Sequence, residues 1–340
     1  MQLVNATKAT EYILMCIKAG LVAMLHGDPG IGKSSIIYDI AKQFKLKVID
    51  IRLSQLDPTD LNGFPHFSEG KASYMPMDVF PMEEDKIPEG YNGFLLFLDE
   101  FNSASIATQA ASYKLTLDKA IGSKKLHSKT AIVCAGNLDS NGAITNRIGT
   151  AMQSRLVHLN LTAEVDPFIV WGSTHGIDHR ILAYVHDQPK NLHNFDPKHN
   201  DVTFACPRTW EFASRILDKF TGTDLMQIFP LLSGTISEGI AREFIMYAKT
   251  VMKLADFKNI IANPLGAILN EEPSMLYAMS YKIAANTNKS NIKPVMQYIK
   301  RMPIEFQTIT LQNSIRRVPE LLESEPIETW MDEKGTELFS

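Results

Sequence analysis

The chain has 340 residues, of which 45% are hydrophobic and 21% charged, a composition typical of globular proteins and unlike that of disordered or fibrous ones. Its length is enough for about two domains of ordinary size. A net charge of −4 and a pI near 6.2 disfavour bulk electrostatic capture of nucleic acid, although a local basic patch can still bind it.

The amino terminus, MQLVNATKATEY, has no basic segment followed by an apolar stretch. No apolar run in the sequence approaches the roughly 18 residues that a membrane helix needs. The three cysteines, Cys16, Cys134 and Cys206, are far apart and form no Cys-x-x-Cys pair, which argues against a disulfide framework or a zinc site. We therefore expect a cytoplasmic protein without a membrane segment, whose thiols stay reduced.

Between residues 21 and 161, short apolar runs alternate with segments of helical periodicity. The runs are LVAMLHG (21–27), KVIDIRLS (47–54), FLLFLDEF (94–101), TAIVCAGN (130–137) and LVHLNL (156–161). Strands that alternate with helices in this way indicate a parallel sheet covered by helices on both faces. We predict an α/β nucleotide-binding domain with five parallel strands at residues 1–162.

After residue 163 the pattern changes to amphipathic helices separated by Pro, Gly and Asn. PRTWEFASRILDKF (207–220) and SEGIAREFIMYAKTVMKL (237–254) are two examples. We predict one helical domain at 163–255 and an additional helical region at 256–340. The tail from Pro319 onward is acidic, and we expect it to be poorly ordered.

The segment GDPGIGKS (27–34) fits the pattern Gly-x-x-x-x-Gly-Lys-Ser/Thr and lies between a predicted strand and a predicted helix. Its glycines allow backbone N–H groups to turn toward phosphate oxygens, and the following helix adds its positive amino-terminal end. Lys33 would then reach the β- and γ-phosphates, while the Ser34 hydroxyl would bind Mg²⁺. The predicted nucleotide-binding residues are Gly27, Asp28, Pro29, Gly30, Ile31, Gly32, Lys33, Ser34 and Ser35.

Two acidic residues end the apolar run at 94–101. Asp99 can reach Mg²⁺ through water, and Glu100 can polarise the attacking water as a general base. A Glu directly after the Asp favours a hydrolase over a kinase, and the sequence lacks the Asn-Lys-x-Asp motif of Ras-like GTPases. The predicted metal residues are Ser34 and Asp99.

Asn137 follows the next apolar run, in IVCAGNLD. It can hold the attacking water or the γ-phosphate from a neighbouring strand end. It can equally be a turn-forming residue, because Leu-Asp-Ser-Asn-Gly follows it. The residue type alone does not decide between these two interpretations.

Taken in order, these motifs resemble those of AAA+ ATPases and, within that class, those of the MoxR-like family, over about residues 5–250. GDPGIGKS is similar to the family's Walker A, LLFLDEFNSA (95–104) to its Walker B, and Asn137 to its sensor 1. The resemblance implies an AAA+ P-loop NTPase core followed by a helical lid at 163–255. It also implies ATP and Mg²⁺ as cofactors and ATP hydrolysis as the reaction, with Glu100 and Asn137 as catalytic residues.

The resemblance assigns two arginines as well. AMQSRLVHL (151–159) is similar to the segment that carries the arginine finger, which gives Arg155, and CPRTWEFASRIL (206–217) is similar to the sensor 2 helix, which gives Arg208. A guanidinium from a neighbouring subunit would offset charge that develops on the γ-phosphate. The alternatives are a surface ion pair for Arg155 and a helix-terminal residue without a role for Arg208. Arg147 is a rival for the finger.

A finger supplied in trans implies a homo-oligomer, and the resemblance implies a ring, usually a hexamer, that remodels or assembles a protein client. In this family a von Willebrand factor A domain usually sits in a separate partner. The insert at 63–82, rich in Gly, Pro, Met and aromatic residues, can contact a client or can pack on the sheet. Where the family commonly has Arg after the Walker B Asn, this chain has Ser103, and the match fades beyond about residue 255.

Two other functions are compatible with the same nucleotide-binding core. A nucleic-acid-associated motor or clamp loader would explain the C-terminal helices as a collar, although the charge of the chain disfavours it. A nucleotide-gated scaffold with negligible turnover is the third possibility, and Glu100 argues against it.

Overall fold

The structure, a computed structural model, describes residues 2–68, 70–138, 146–198, 201–251 and 256–338. The chain divides into two compact units. The first takes Met1–Ala163 with Phe195–His199, and the second takes Glu164–Asn194 with Asn200–Ser340.

The described part of the first unit contains ten strands. They are β1 (Leu3–Val4), β2 (Val22–His26), β3 (Leu46–Arg52), β4 (Phe64–Ser68), β5 (Lys71–Met75), β6 (Gly93–Asp99), β7 (Ala120–Ile121), β8 (Lys124–Lys125), β9 (Thr130–Gly136) and β10 (Leu156–Leu161). Six of these described strands form one parallel sheet in the order β1-β10-β2-β9-β6-β3. The predicted parallel sheet is confirmed, with one more edge strand, β1, which at two residues is too short for sequence periodicity to reveal.

Helices cover both faces of this sheet, as predicted. They are α1 (Ala6–Lys18), α2 (Lys33–Phe44), α3 (Pro58–Asn62), α4 (Ile106–Asp118) and α5 (Thr150–Gln153). Alternate residues of β2 enter different cores, because successive side chains of a strand point to opposite faces. Leu25 packs in one cluster with Ile37 of α2, and Met24 packs in the other with Leu115 of α4. Full burial of such a side chain contributes roughly 2 kcal/mol to folding.

The insert predicted at 63–82 is a β4–β5 hairpin followed by an irregular segment. Its aromatic residues do not share one environment. Phe67 and Tyr74 on the hairpin are exposed, whereas Phe80 is buried in the core between the sheet and α4. The insert therefore both packs on the domain and presents aromatic rings to solvent.

The described residues of the second unit are helical, as predicted, with no strand among them. The helices are α6 (Val165–His175), α7 (His179–Asp187), α8 (Pro207–Lys219), α9 (Phe229–Ile236), α10 (Glu238–Val251), α11 (Phe257–Ala262), α12 (Pro273–Asn286), α13 (Ile292–Ile299), α14 (Ile304–Arg317) and α15 (Glu325–Leu338). None of the helices in the described ranges is long and apolar enough to cross a membrane.

The prediction that the tail beyond Pro319 is poorly ordered is wrong. Most of it forms α15, in which Ile327 and Trp330 are buried. The Trp330 indole Nε1 donates a hydrogen bond of 2.7 Å to Gln307 Oε1 on α14. The acidic composition of the tail concealed these apolar anchors, which are few but sufficient to pack one face of a helix.

Candidate functional site

The strands that carry the predicted site residues end together at the carboxyl edge of the sheet. The β2–β9 register pairs His26 with Gly136, so the phosphate loop and Asn137 leave the sheet side by side. The β3–β6 register pairs Arg52 with Asp99. In open α/β sheets, ligands bind outside the carboxyl ends of the strands.

The loop between β2 and α2 depends on its glycines. Gly30 and Gly32 have φ angles of 78° and 96°, a left-handed region that other residues rarely adopt. At Gly27 an added Cβ would lie 3.1 Å from the backbone oxygen of Leu161, which is closer than most Cβ contacts. The loop can therefore curl tightly onto the amino end of α2, whose partial positive charge favours a bound anion.

Lys33 is the first residue of α2 and is only 9% exposed. Its Nζ donates to the carbonyl oxygens of Gly27 at 2.7 Å and Asp28 at 2.9 Å, and to Asn137 Oδ1 at 3.2 Å. The side chain thus joins residues that are more than a hundred positions apart in the sequence. These oxygen acceptors are of the kind that phosphate oxygens can replace, so the loop fits a nucleotide phosphate.

Ser34 and Asp99 meet next to this lysine. The Ser34 hydroxyl donates to Asp99 Oδ2 at 3.4 Å, and the backbone N–H of Glu100 donates to Asp99 Oδ1 at 2.8 Å. Burial raises the pKa of the Asp99 carboxyl, and the Glu100 hydrogen bond and the Lys33 charge only partly oppose this shift. A hydroxyl and a carboxylate in contact suit Mg²⁺, which takes hard oxygen ligands from few protein groups and keeps several waters.

Glu100 has a left-handed backbone, with φ 54° and ψ 34°, at the point where the chain leaves β6. This conformation is costly for a residue with a Cβ and is found preferentially at functional sites. The Glu100 carboxylate accepts a hydrogen bond from the Ser54 hydroxyl through Oε2, and its Oε1 lies 3.9 Å from Arg52 Nη1.

Ser54 and Arg52 were not among the predicted site residues. Both lie at the end of the run KVIDIRLS. The available signal was that this predicted strand, which belongs to the same parallel sheet, ends in polar residues.

Asn137 is held by Asn102, which is 3% exposed. The Asn102 side chain donates from Nδ2 to the Asn137 carbonyl oxygen at 2.7 Å, and its Oδ1 accepts from the Asn137 N–H at 3.1 Å. A Cβ at Gly136 would lie 2.3 Å from Asn102 Oδ1, so this close approach requires glycine there. The structure therefore places the Asn137 side chain at Lys33.

Further amides extend this cluster. The Asn146 N–H donates to the Asn102 carbonyl oxygen at 2.6 Å, and Asn146 Nδ2 donates to the Ala104 carbonyl oxygen at 2.9 Å. Gln109 Nε2 donates to the carbonyl oxygens of Ala104 at 3.1 Å and Asn146 at 3.4 Å. Asn146 was not singled out in the sequence, because an isolated Asn in a polar segment carries no recognisable pattern.

Arg155 does not join this group of residues. It is exposed and lies just before β10, where its guanidinium is 5.7 Å from the Tyr113 ring and donates to the Ala151 carbonyl oxygen. The following residue, Leu156, pairs with Val22 at the amino end of β2, whereas the phosphate loop follows the carboxyl end. Arg155 and Lys33 are therefore at opposite ends of β2.

Arg147 and Arg208, the other two arginines considered for the site, are also exposed. Arg147 lies in the first unit, just after Asn146. Arg208 is in the first turn of α8 in the second unit, where Cys206 and Thr209 form the capping box. Its contact with nucleotide stays a prediction.

Comparison with known proteins finds one family match, which lies within the first unit. Residues 23–157 match the family described as "ATPase family associated with various cellular activities (AAA)". This segment includes Lys33, Asp99, Glu100, Asn137 and Arg155. No curated protein sequence is significantly similar to the chain.

Three solved structures resemble the chain at low sequence identity. A proposed ATPase from Cytophaga hutchinsonii is 14% identical, and the match covers 92% of this chain and 81% of the Cytophaga chain, with a TM-score of 0.37. NtrX from Brucella abortus is 15% identical, and the match covers 91% of this chain and 67% of the NtrX chain, with a TM-score of 0.40. A mutant of RuvB from Thermotoga maritima is 16% identical, covering 85% of each chain, with a TM-score of 0.39. Similarity at this level says nothing about substrate or partner.

Proposed function

Because residues 23–157 match the AAA ATPase family, we propose that this protein is a ring-forming, magnesium-dependent ATP hydrolase of the MoxR-like type. Its ATP binding and hydrolysis would drive the remodelling or assembly of a protein partner. The observation that carries the proposal is the 3.2 Å contact of Lys33 Nζ with Asn137 Oδ1. The pair of Ser34 and Asp99, 3.4 Å apart, lies beside it.

Each of these residues has a task in phosphoryl transfer to water. Lys33 binds the β- and γ-phosphate oxygens, and Ser34 and Asp99 would hold Mg²⁺, which would offset the negative charge of these phosphates. Asn137 orients the attacking water or the γ-phosphate. Glu100 takes the proton of that water once its carboxylate turns from Ser54 toward the phosphate.

Arg155 is proposed to act on the nucleotide of the next subunit. Its position at the opposite end of β2 from the phosphate loop, together with its exposure, supports a role in trans. A rotationally symmetric ring repeats one such heterologous contact at every interface. We further propose that residues 163–255 act as the lid and that Arg208 contacts phosphate from its own chain, which would couple the lid to the nucleotide state.

The hydrolysis is tested with three variants. Lys33→Ala should abolish ATP binding, measured with a fluorescent nucleotide. Glu100→Gln should keep binding and slow phosphate release by about 100-fold or more, because it removes the general base. Glu89→Gln, an exposed carboxamide substitution in the same unit, is the matched control and should hydrolyse ATP at the wild-type rate. Wild-type turnover in Glu100→Gln would refute the assigned mechanism.

The client is tested by affinity capture. Glu100→Gln with ATP should retain a protein partner that Lys33→Ala does not retain, because only the former is held in the ATP-bound state. Capture of DNA, with ATPase stimulation that falls steeply with salt, would instead favour a nucleic-acid motor.

A further inference from the structure

Asn102 lies two residues after Glu100, in the short 3-10 helix Phe101–Ser103 that follows β6. The backbone ladder between β6 and β9 ends with Leu98 opposite Cys134, since the chain turns away from the sheet at Glu100. Beyond this point, the Asn102 side chain takes the place of a neighbouring strand and pairs with Asn137, the residue that follows β9. Its amide binds both the N–H and the carbonyl oxygen of Asn137, as a neighbouring backbone would.

This arrangement fixes the backbone of Asn137 without using its side chain. The Asn137 Oδ1 atom remains directed at Lys33, 3.2 Å from Nζ. Asn102 is almost fully buried, and both the nitrogen and the oxygen of its side-chain amide are hydrogen-bonded. These bonds fix its side-chain rotamer. Such supporting hydrogen bonds determine how accurately a functional side chain is placed.

We propose that Asn102 is a positioning residue for hydrolysis, which holds Asn137 at the correct distance from the γ-phosphate. This inference rests on the proposed ATPase function and on the role of Asn137 in it. Asn102 itself touches neither nucleotide nor water in this role, and it acts through Asn137. A purely structural role would instead stabilise the domain without affecting turnover.

Gln109 provides a matched control for that alternative. Like Asn102, it is a 3% exposed amide that bonds to backbone carbonyl oxygens in the same cluster, but its bonds go to Ala104 and Asn146. Asn102→Leu and Gln109→Met remove the two amides with little change in side-chain shape. Both variants should lose thermal stability because each leaves buried backbone groups without a partner.

Steady-state ATPase kinetics separate the two roles. Asn102→Leu should lower kcat between about 10-fold and 100-fold with little change in KM, since a misplaced catalytic group costs rate rather than binding. Gln109→Met should stay within about twofold of the wild-type kcat. Asn102→Asp, which keeps the acceptor for the Asn137 N–H, is the second variant in case Asn102→Leu fails to fold, and it should fall between Asn102→Leu and the wild type. Equal losses in the Asn102 and Gln109 variants, or full turnover in both Asn102 variants, would overturn the proposal.

The decisive comparison combines Asn102→Leu with Asn137→Ala. If Asn102 acts through Asn137, the double variant should be no slower than Asn137→Ala alone. Losses that multiply would show that Asn102 acts independently and would contradict the inference, while Glu100→Gln and Lys33→Ala could still support the proposed function. A wild-type protein that binds but does not hydrolyse ATP would refute the proposed function and this inference with it.

Discussion

At the scale of single residues, Asp99 shows how a functional carboxylate conflicts with stability. Burial raises the pKa of its carboxyl, and the neighbouring Asp50 and Glu100 carboxylates shift it in the same direction. The folded protein therefore binds this proton more tightly than the unfolded chain does. As the pH rises from the ordinary Asp pKa through the raised pKa, Asp99 ionises at the expense of stability.

Asp99→Asn should therefore raise the free energy of unfolding at neutral pH in the absence of Mg²⁺ and nucleotide. The Asn side chain keeps an acceptor for the Glu100 N–H and removes the buried charge. The same variant should lose Mg²⁺-dependent ATPase activity by about 100-fold or more, because a carboxylate that would hold Mg²⁺ is lost. Urea unfolding between pH 4 and about 8, with phosphate-release assays, measures both effects. A variant less stable than the wild type at neutral pH would contradict this account.

At the scale of elements, α7 begins with a buried ion pair. The Asp178 carboxylate accepts from the Arg180 N–H at 2.8 Å, and from the Arg180 guanidinium at 2.9 and 2.6 Å. Both side chains are largely buried, with 14% and 18% exposed. Burial alone would raise the pKa of Asp178, but the hydrogen bonds and charge of Arg180, together with the charge of His179, lower it below its usual value.

Asp178→Asn should destabilise the second unit by about 3 kcal/mol, because it leaves the Arg180 charge buried without a counter-charge. The wild-type advantage should be complete above the unfolded-state pKa of Asp and should disappear as the pH falls through the lowered folded-state pKa. Thermal or urea unfolding at several pH values measures this. Glu238→Gln is the control, because the ion pair of Glu238 with Arg242 is exposed, with 66% of the Glu238 and 58% of the Arg242 side chain accessible to solvent. This pair should contribute no more than about 0.5 kcal/mol to stability. Equal effects of the two substitutions would contradict the prediction.

At the scale of the whole molecule, the proposed ring would share each site between two subunits. In that ring, each site would combine Glu100 of one chain with Arg155 of the next. Glu100→Gln and Arg155→Ala should each be inactive alone, but their mixture should regain activity after subunit exchange. With random mixing, about a quarter of the interfaces unite an intact Glu100 with an intact Arg155. A mixture that stays inactive would contradict the role in trans, and complementation by Arg147→Ala in place of Arg155→Ala would transfer that role to Arg147.

The sequence allowed much of the site to be predicted, because its main residues lie at the ends of apolar runs. The loop glycines, Lys33 and Asp99 are recognisable from spacing and from the strand before them. Ser54 is not, because a Ser near a strand end has no distinctive local pattern, and Asn102 stands out only through the resemblance, as a polar residue after Walker B. Their significance depends on which strand lies beside them, and that is a long-range property of the sheet.

Local physical chemistry in the sequence alone therefore determined five strands of the parallel sheet, the phosphate loop and the helical character of the second unit. Apolar periodicity and glycine placement act within a few residues of each other, so they can be read without a fold. Only the tertiary structure decided that Glu100 binds Ser54, that Asn102 holds Asn137, and that the acidic tail packs through Trp330. These outcomes depend on strand order, register and burial, which bring together side chains that are distant in the chain.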